Sequence, residues 1–172
     1  NITYIHGRSE IRKIGNAADM AAVQNLVTNA LDNCESSVVT WVKSYEATDL
    51  VQTVEDYMKD NPNVVMEMPQ ISVGIYPDAG SNRIVEVKFA YETSRESLRQ
   101  MQQQVRRIFA SAQLYINSDA ESEQKCAQLY TFLMERFDYE LQTSITPAYS
   151  LLNHGVSDSE AFASVYAAMC RQ

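Results

Sequence analysis

The chain has 172 residues, 45% of them hydrophobic, enough for one domain or two small ones with a sizeable buried core. Its 22 acidic residues against 14 basic ones leave a net charge of −8, and no basic stripe with interleaved aromatics offsets it, which argues against nucleic acid as a partner. No apolar run reaches the length of a membrane span, and no basic-then-apolar signal opens the chain.

Residues 1–15 form a lead-in without a clear period, with one short strand expected at 2–5. From Ala17, the positions Met20, Val23, Leu26, Val27, Ala30 and Leu31 recur at helical spacing and predict an amphipathic helix ending near Asn33. Residues 37–45 hold Val38, Val39, Trp41 and Val42 and read as a strand, with Trp41 taken as core or sheet face rather than as a ligand platform. Thr48 is the expected cap of a second helix that turns Leu50, Val51, Val54, Tyr57 and Met58 inward and stops at Asn61-Pro62. Residues 63–68 and 71–76 read as short strands, Gly74 marking a bulge or a close approach. After turn chemistry at 77–82, residues 83–91 alternate strictly, so 71–76 and 83–91 should form a hairpin. Joined to 37–45, they give a small antiparallel sheet with helices covering one face, an α+β arrangement.

Residues 93–96 read as a capping box opening a long helix through about Tyr115, with Leu98, Met101, Val105, Ile108, Phe109 and Ala112 on one side and the glutamines of 100–104 on the polar face. A second capped restart at 117–121 places the expected boundary between an amino-terminal module, 1–116, and a helical segment, 117–172. That segment begins with a helix over 120–137, turning Cys126, Leu129, Tyr130, Leu133, Met134 and Phe137 inward. Thr146-Pro147 then starts a short helix that Gly155 ends. Cys34, Cys126 and Cys170 are too widely spaced from one another and from histidine to make a metal pattern, so no metal and no cofactor are expected. Cys126 and Cys170 fall on apolar helix positions and read as buried free thiols.

The final stretch organises the rest. Ser157 stands where an N-cap belongs, Glu160 follows three residues later, and an alanine-rich run with Phe162, Val165, Tyr166 and Met169 begins. A side chain at 157 would meet the positive end of the helix dipole, which suits a nucleophile's anion and equally a plain cap. Ser-x-x-Glu already accounts for both residues as a capping box, and the cap is the favoured reading.

Gly155-Val156-Ser157-Asp158, running through Ala161 and Ala163 to Met169-Cys170-Arg171, resembles the nucleophile segment of transglutaminase-like, papain-fold proteins. In that family a cysteine is the first residue of the core helix. The upstream block, Leu129-Tyr130 through Phe137-Asp138-Tyr139 and then Ala148 to Gly155, is similar to the helix, tyrosine-bearing loop and short helix that precede it. The resemblance covers roughly the last third of the chain and departs from the pattern in two ways. Position 157 is Ser rather than Cys, with Ser159 and Glu160 where a small residue and an aromatic are usual. The family's His and Asp come from strands after the core helix, which would lie beyond residue 172, and the two histidines present, His6 and His154, are not in that position.

The resemblance implies a bacterial protein at the cell surface or outside the cell, with cytoplasmic placement left open, and acyl chemistry on peptides in members that keep the cysteine. Ser157 marks the nucleophile position, expected to be inactive, and Tyr139, Tyr149, His154 and Asp158 are the candidate substrate-binding residues around it. The expected function is a degenerate, non-catalytic protein that binds peptide or cell-wall material. Two alternatives stand beside it. One is a piece of an active cysteine acyl-transferase or peptidase, in which Ser157 replaces the cysteine and which begins at Asn1 and ends in a helix because it is trimmed from a longer precursor. The other is a structural or interaction module. The apolar flank of the last helix should pack on the helix over 120–137 or form a homodimer contact, because leaving Phe162, Val165, Tyr166 and Met169 in water costs several kcal/mol, on the order of 1.5–3 for each large side chain.

Overall fold

Asp19 ends a strand and starts a helix. The strand is β1 (Gly15–Asp19), and the helix is α1 (Met20–Asp32), where the Asp19 carboxylate accepts a 2.9 Å hydrogen bond from the N–H of Ala22. In the computed structural model the described residues are 14–139, 151–152, 156–157 and 159–172, with backbone alone at 138–139 and 156–157. The strand expected at 2–5 and the helix start expected at Thr146-Pro147 lie outside them.

The elements after α1 are β2 (Ser37–Ser44), α2 (Leu50–Asp60), β3 (Gln70–Tyr76), β4 (Arg83–Ala90), α3 (Arg95–Tyr115), α4 (Ser122–Arg136), β5 (Asp138–Tyr139), β6 (Val156–Ser157) and α5 (Ser159–Cys170). Leu151 and Leu152 are helical and buried. The fold class is α+β, as the periodicities predict. The described residues divide into two compact units, one running to Val54 and including Pro69–Ala90, the other made of Glu55–Met68 with Tyr91–Gln172. The boundary expected between 116 and 117 falls within the second unit.

In the first unit four strands lie in the order β1-β2-β4-β3. The β3-β4 hairpin and the β2-β4 pair are antiparallel, as expected, but β1 joins β2 in parallel, so the sheet is mixed. The lead-in gave no sign of β1 because its small residues, Gly15, Ala17 and Ala18, carry no alternation; pairing with β2 makes the strand, not propensity. At the tip of the hairpin Gly80 has φ +97, a backbone region that glycine enters without strain. One face of the sheet carries Thr40 and Val42 from β2 and Val85 and Val87 from β4, all fully buried. Helix α1 packs on β1 and β2 and contributes Val23, Val27 and Leu31, which are also excluded from water. Each such side chain supplies roughly 1.5–3 kcal/mol of burial.

Helix α2 is capped by Asp49 rather than by Thr48: the Asp49 carboxylate accepts from the N–H groups of Val51 and Gln52 at 3.1 and 3.0 Å. In the second unit, Ser94 caps α3 by accepting from Ser97 N–H at 3.2 Å, and the helix ends at Tyr115 as read from the sequence. The buried stripe of α3 is Leu98, Gln102, Val105, Phe109 and Ala112. Gln102 therefore belongs to the inward face, not to the polar one, and Met101 is only half-buried. Helix α4 buries Leu129, Phe132 and Leu133, while Tyr130 and Met134, expected inward, are 54% and 51% exposed.

Residues 63–68 are not a strand. Val65 and Met66 are buried, but the segment's polar groups go elsewhere: Gln102 Nε2 donates to the Val64 carbonyl at 2.7 Å, and the Glu67 carboxylate accepts from the N–H groups of Glu92 and Thr93 at 2.6 and 3.1 Å. Side chains thus do what a neighbouring strand would have done. Helix α5 packs on α4, as expected for its apolar flank. Val165 and Met169 are buried and Phe162 and Tyr166 half-buried, so none of the four is left in water.

Candidate functional site

Two regions carry side chains or backbone worth testing as sites, one in each unit. The first surrounds Ser157. Strands β5 and β6 pair in parallel, Asp138 opposite Val156 and Tyr139 opposite Ser157. The backbones of two residues singled out from the sequence, Tyr139 and Ser157, are thereby brought side by side. Ser157 is not the cap expected of it: it lies in the extended β6 strand, and the helix begins two residues later at Ser159, which makes Glu160 its second residue. Pairing with Tyr139 holds Ser157 in the strand, and the helical run of α5 starts only after it. Glu160 places a negative charge in the first turn, where the helix dipole favours it. Tyr149, His154 and Asp158 lie outside the described residues, as do the side chains of Tyr139 and Ser157 and the chain's other histidine, His6.

The second region is the sheet face opposite α1. Cross-strand pairing puts Trp41 of β2, Ile84 of β4 and Tyr76 of β3 in a single row. Asn16 of β1 continues that row on the far side of Trp41. Trp41 is 46% exposed and Tyr76 52% exposed. Two strand spacings separate the aromatic positions, or roughly 10 Å. Gly74 fixes how Tyr76 lies. A Cβ at residue 74 would come within 2.9 Å of Tyr76 Cε2 and 3.0 Å of its hydroxyl oxygen, so the phenol ring folds back along the strand over the bare glycine.

The neighbouring row on this face consists of Val39, Glu86 and Gly74, and the next of Ser37, Lys88 and Ser72. Glu86 is buried, and its Oε1 lies 3.3 Å from Lys88 Nζ, so a paired charge sits beside the rings. A flattened ring, a second half-exposed ring and a fringe of amide, hydroxyl and paired charge make a surface suited to stacking. Aromatic faces carry partial negative charge and attract the polarised C–H faces of sugars and the side chains of extended peptides.

The sequence reading passed over this face because it took Trp41 as core or sheet face. Two signals point to it in retrospect. Val38, Thr40 and Val42 form one alternating set, which leaves Trp41 with Val39 and Lys43 on the other; and Gly74 stands two residues before Tyr76, on the same side of its strand. Among the described residues, no helix is long and apolar enough to cross a membrane. No family model, curated protein or solved structure matches this chain.

Proposed function

We propose that this chain is a non-catalytic, transglutaminase-like protein that binds cell-wall material, glycan bearing short peptides, at or outside the cell surface. The observation that carries the binding half of this reading is the Trp41–Ile84–Tyr76 row, which keeps two aromatic rings half-exposed on one sheet face. A ring left in water forgoes most of its burial energy, roughly 1.5–3 kcal/mol for a large apolar side chain, and a ligand that stacks on it recovers part of that.

The non-catalytic half is supported by the residue at 157. A serine hydroxyl needs a neighbouring base to act as a nucleophile, and the family's cysteine, far more acidic, is replaced here. The pairing of β6 with β5 keeps Ser157 in a strand, two residues short of the helix start at which the family's nucleophile stands.

Trp41 is the chain's single tryptophan, so its fluorescence reports on the proposed surface alone. Titration with soluble peptidoglycan fragments is expected to shift and quench that emission saturably, and Tyr76→Ala should weaken the response by roughly tenfold, the equivalent of about 1.4 kcal/mol. An emission spectrum unmoved by glycan, by peptide stems and by intact wall fragments would refute the reading.

A further inference from the structure

Helices α4 and α5 run antiparallel where they touch, and two pairs of residues set one turn apart on each helix define the contact. Tyr130 of α4 meets Tyr166 of α5 edge-on, with ring centroids 5.9 Å apart. One turn further along each helix stand Cys126 and Cys170. The Tyr166 hydroxyl donates to the Cys126 carbonyl at 3.1 Å, which locks the register between the two helices. The same register sets Cys126 and Cys170 across from each other on the facing helices. Neither is the buried thiol that the sequence suggests: Cys126 is half-buried and Cys170 exposed.

We propose that Cys126 and Cys170 are a redox-active pair that closes to a disulfide and staples the last helix to α4. The chemistry needs an oxidant, and a small-molecule disulfide such as oxidised glutathione supplies it. The exposed Cys170 loses its proton to solvent and its thiolate attacks one glutathione sulfur, forming a mixed disulfide and expelling one glutathione thiolate. Cys126 then loses its proton and attacks the Cys170 sulfur, forming the intramolecular S–S bond and expelling the second glutathione. Two protein thiols are oxidised by two electrons, and one glutathione disulfide is reduced to two glutathione thiols. Partial desolvation of this largely exposed thiol is the main cause that holds Cys170 above its ordinary acidity range, with the Cys126 thiol adding to it and the Tyr166 hydroxyl opposing it. Exchange is therefore slow at neutral pH and is best driven at mildly alkaline pH.

Geometry selects this pair over the third cysteine. Cys34 is buried, in a left-handed turn with φ 50 just after α1, and is closed to exchange while the chain stays folded. The closed pair would tie together the end of the chain and the helix on which it packs, and it would do so whether or not the wall-binding reading holds.

The test incubates the native chain in glutathione redox buffers, quenches with acid and an alkylating agent, and maps peptides by mass spectrometry. The expected product is a peptide cross-linked through Cys126 and Cys170, with titratable thiols falling from three to one and reduction restoring them. Cys126→Ser and Cys170→Ser should each abolish the cross-link and leave a stable glutathione adduct on the remaining partner. Both thiols staying free or separately glutathionylated in the folded wild-type chain overturns the proposal. So does a cross-link that appears only in denaturant, or one that joins two chains.

Discussion

Gln102 Nε2 donates a 2.7 Å hydrogen bond to the carbonyl oxygen of Val64, and the glutamine side chain that makes it is 3% exposed. Together with the bonds that the Glu67 carboxylate accepts from Glu92 and Thr93, this bond takes the place of a strand ladder for residues 63–68, which carry Val65 and Met66 into the core without a β partner. Replacing the amide with a hydrocarbon of similar size removes the donor and leaves the carbonyl unpaired. Gln102→Leu is expected to cost about 1–3 kcal/mol, the price of an unsatisfied polar group in a partly buried site. Urea denaturation followed by circular dichroism should show a lower midpoint with an unchanged slope; an unchanged midpoint would mean that water reaches Val64 freely.

Thr40 sets up the opposite case. It is fully buried in the sheet face under α1, opposite Val85, and its Oγ1 has no hydrogen-bond partner among the described residues. The hydroxyl lost its water on folding and gained no hydrogen bond from the described residues in return. Thr40→Val keeps the branched shape and deletes the stranded group, so it should stabilise the chain by about 1 kcal/mol. Thr40→Ser keeps the hydroxyl and deletes the methyl, so it should destabilise by a comparable amount. Paired urea curves for the two variants decide the matter through their signs.

These two sites also show where the sequence is readable and where it is not. Strict alternation over 83–91 yields β4 at Arg83–Ala90, and Ser94 with the stripe from Leu98 to Ala112 yields α3 through Tyr115, because local periodicity and capping chemistry act within one element. Gln102 escapes such a reading because its spacing from Leu98 and Val105 is that of a core residue while its chemistry is polar, and only the Val64 carbonyl explains it. Strand β1 escapes because Gly15 and Ala17 become a strand only beside Thr40 and Val42. Alternation in β2 sets Trp41 apart from Thr40 and Val42, and spacing in β3 puts Gly74 beside Tyr76, but which of the two sheet faces α1 covers is a tertiary fact that alternation does not supply. Ser157 is legible as a residue near a helix start, but its pairing with Tyr139 joins positions 18 apart across a segment with no strand signal of its own.

Gly74 and Tyr76 give the proposed surface a mutation that separates binding from folding. A methyl group at 74 collides with the phenol ring at 2.9 Å, but the ring is the outer end of a half-exposed side chain and can swing away. Alanine is also favoured over glycine in a strand by about 0.5–1 kcal/mol through lost backbone freedom, which offsets the displaced contact. Gly74→Ala should therefore leave the urea midpoint nearly unchanged while weakening wall-fragment binding by roughly tenfold, the value of about one aromatic stacking contact. Trp41 fluorescence titration of the variant measures this, and undiminished affinity would show that the flattened Tyr76 ring is not part of the surface.

Tyr166 links the α4-α5 contact to pH. Burial raises its phenol above the ordinary value of 10.0, and the neighbouring Cys170 and Cys126 thiols push it in the same direction. The fold thus prefers the neutral phenol. Below pH 10 the phenol is protonated in both folded and unfolded chains, and its contribution to stability is fully present. As pH rises past that value the unfolded chain ionises first, and stability drains until Tyr166 also ionises in the fold. Cys170, raised from 9.0 by burial, acts with the same sign from a lower pH, so the comparison belongs in a Cys170→Ser background. There, Tyr166→Phe should cost about 1 kcal/mol at neutral pH through the lost bond to the Cys126 carbonyl. Above pH 10 it should show a shallower fall in stability than its Tyr166 parent. Urea midpoints taken from neutral pH to beyond that threshold test both halves, and parallel curves for the two chains would show that the phenol is not held neutral by the helix contact.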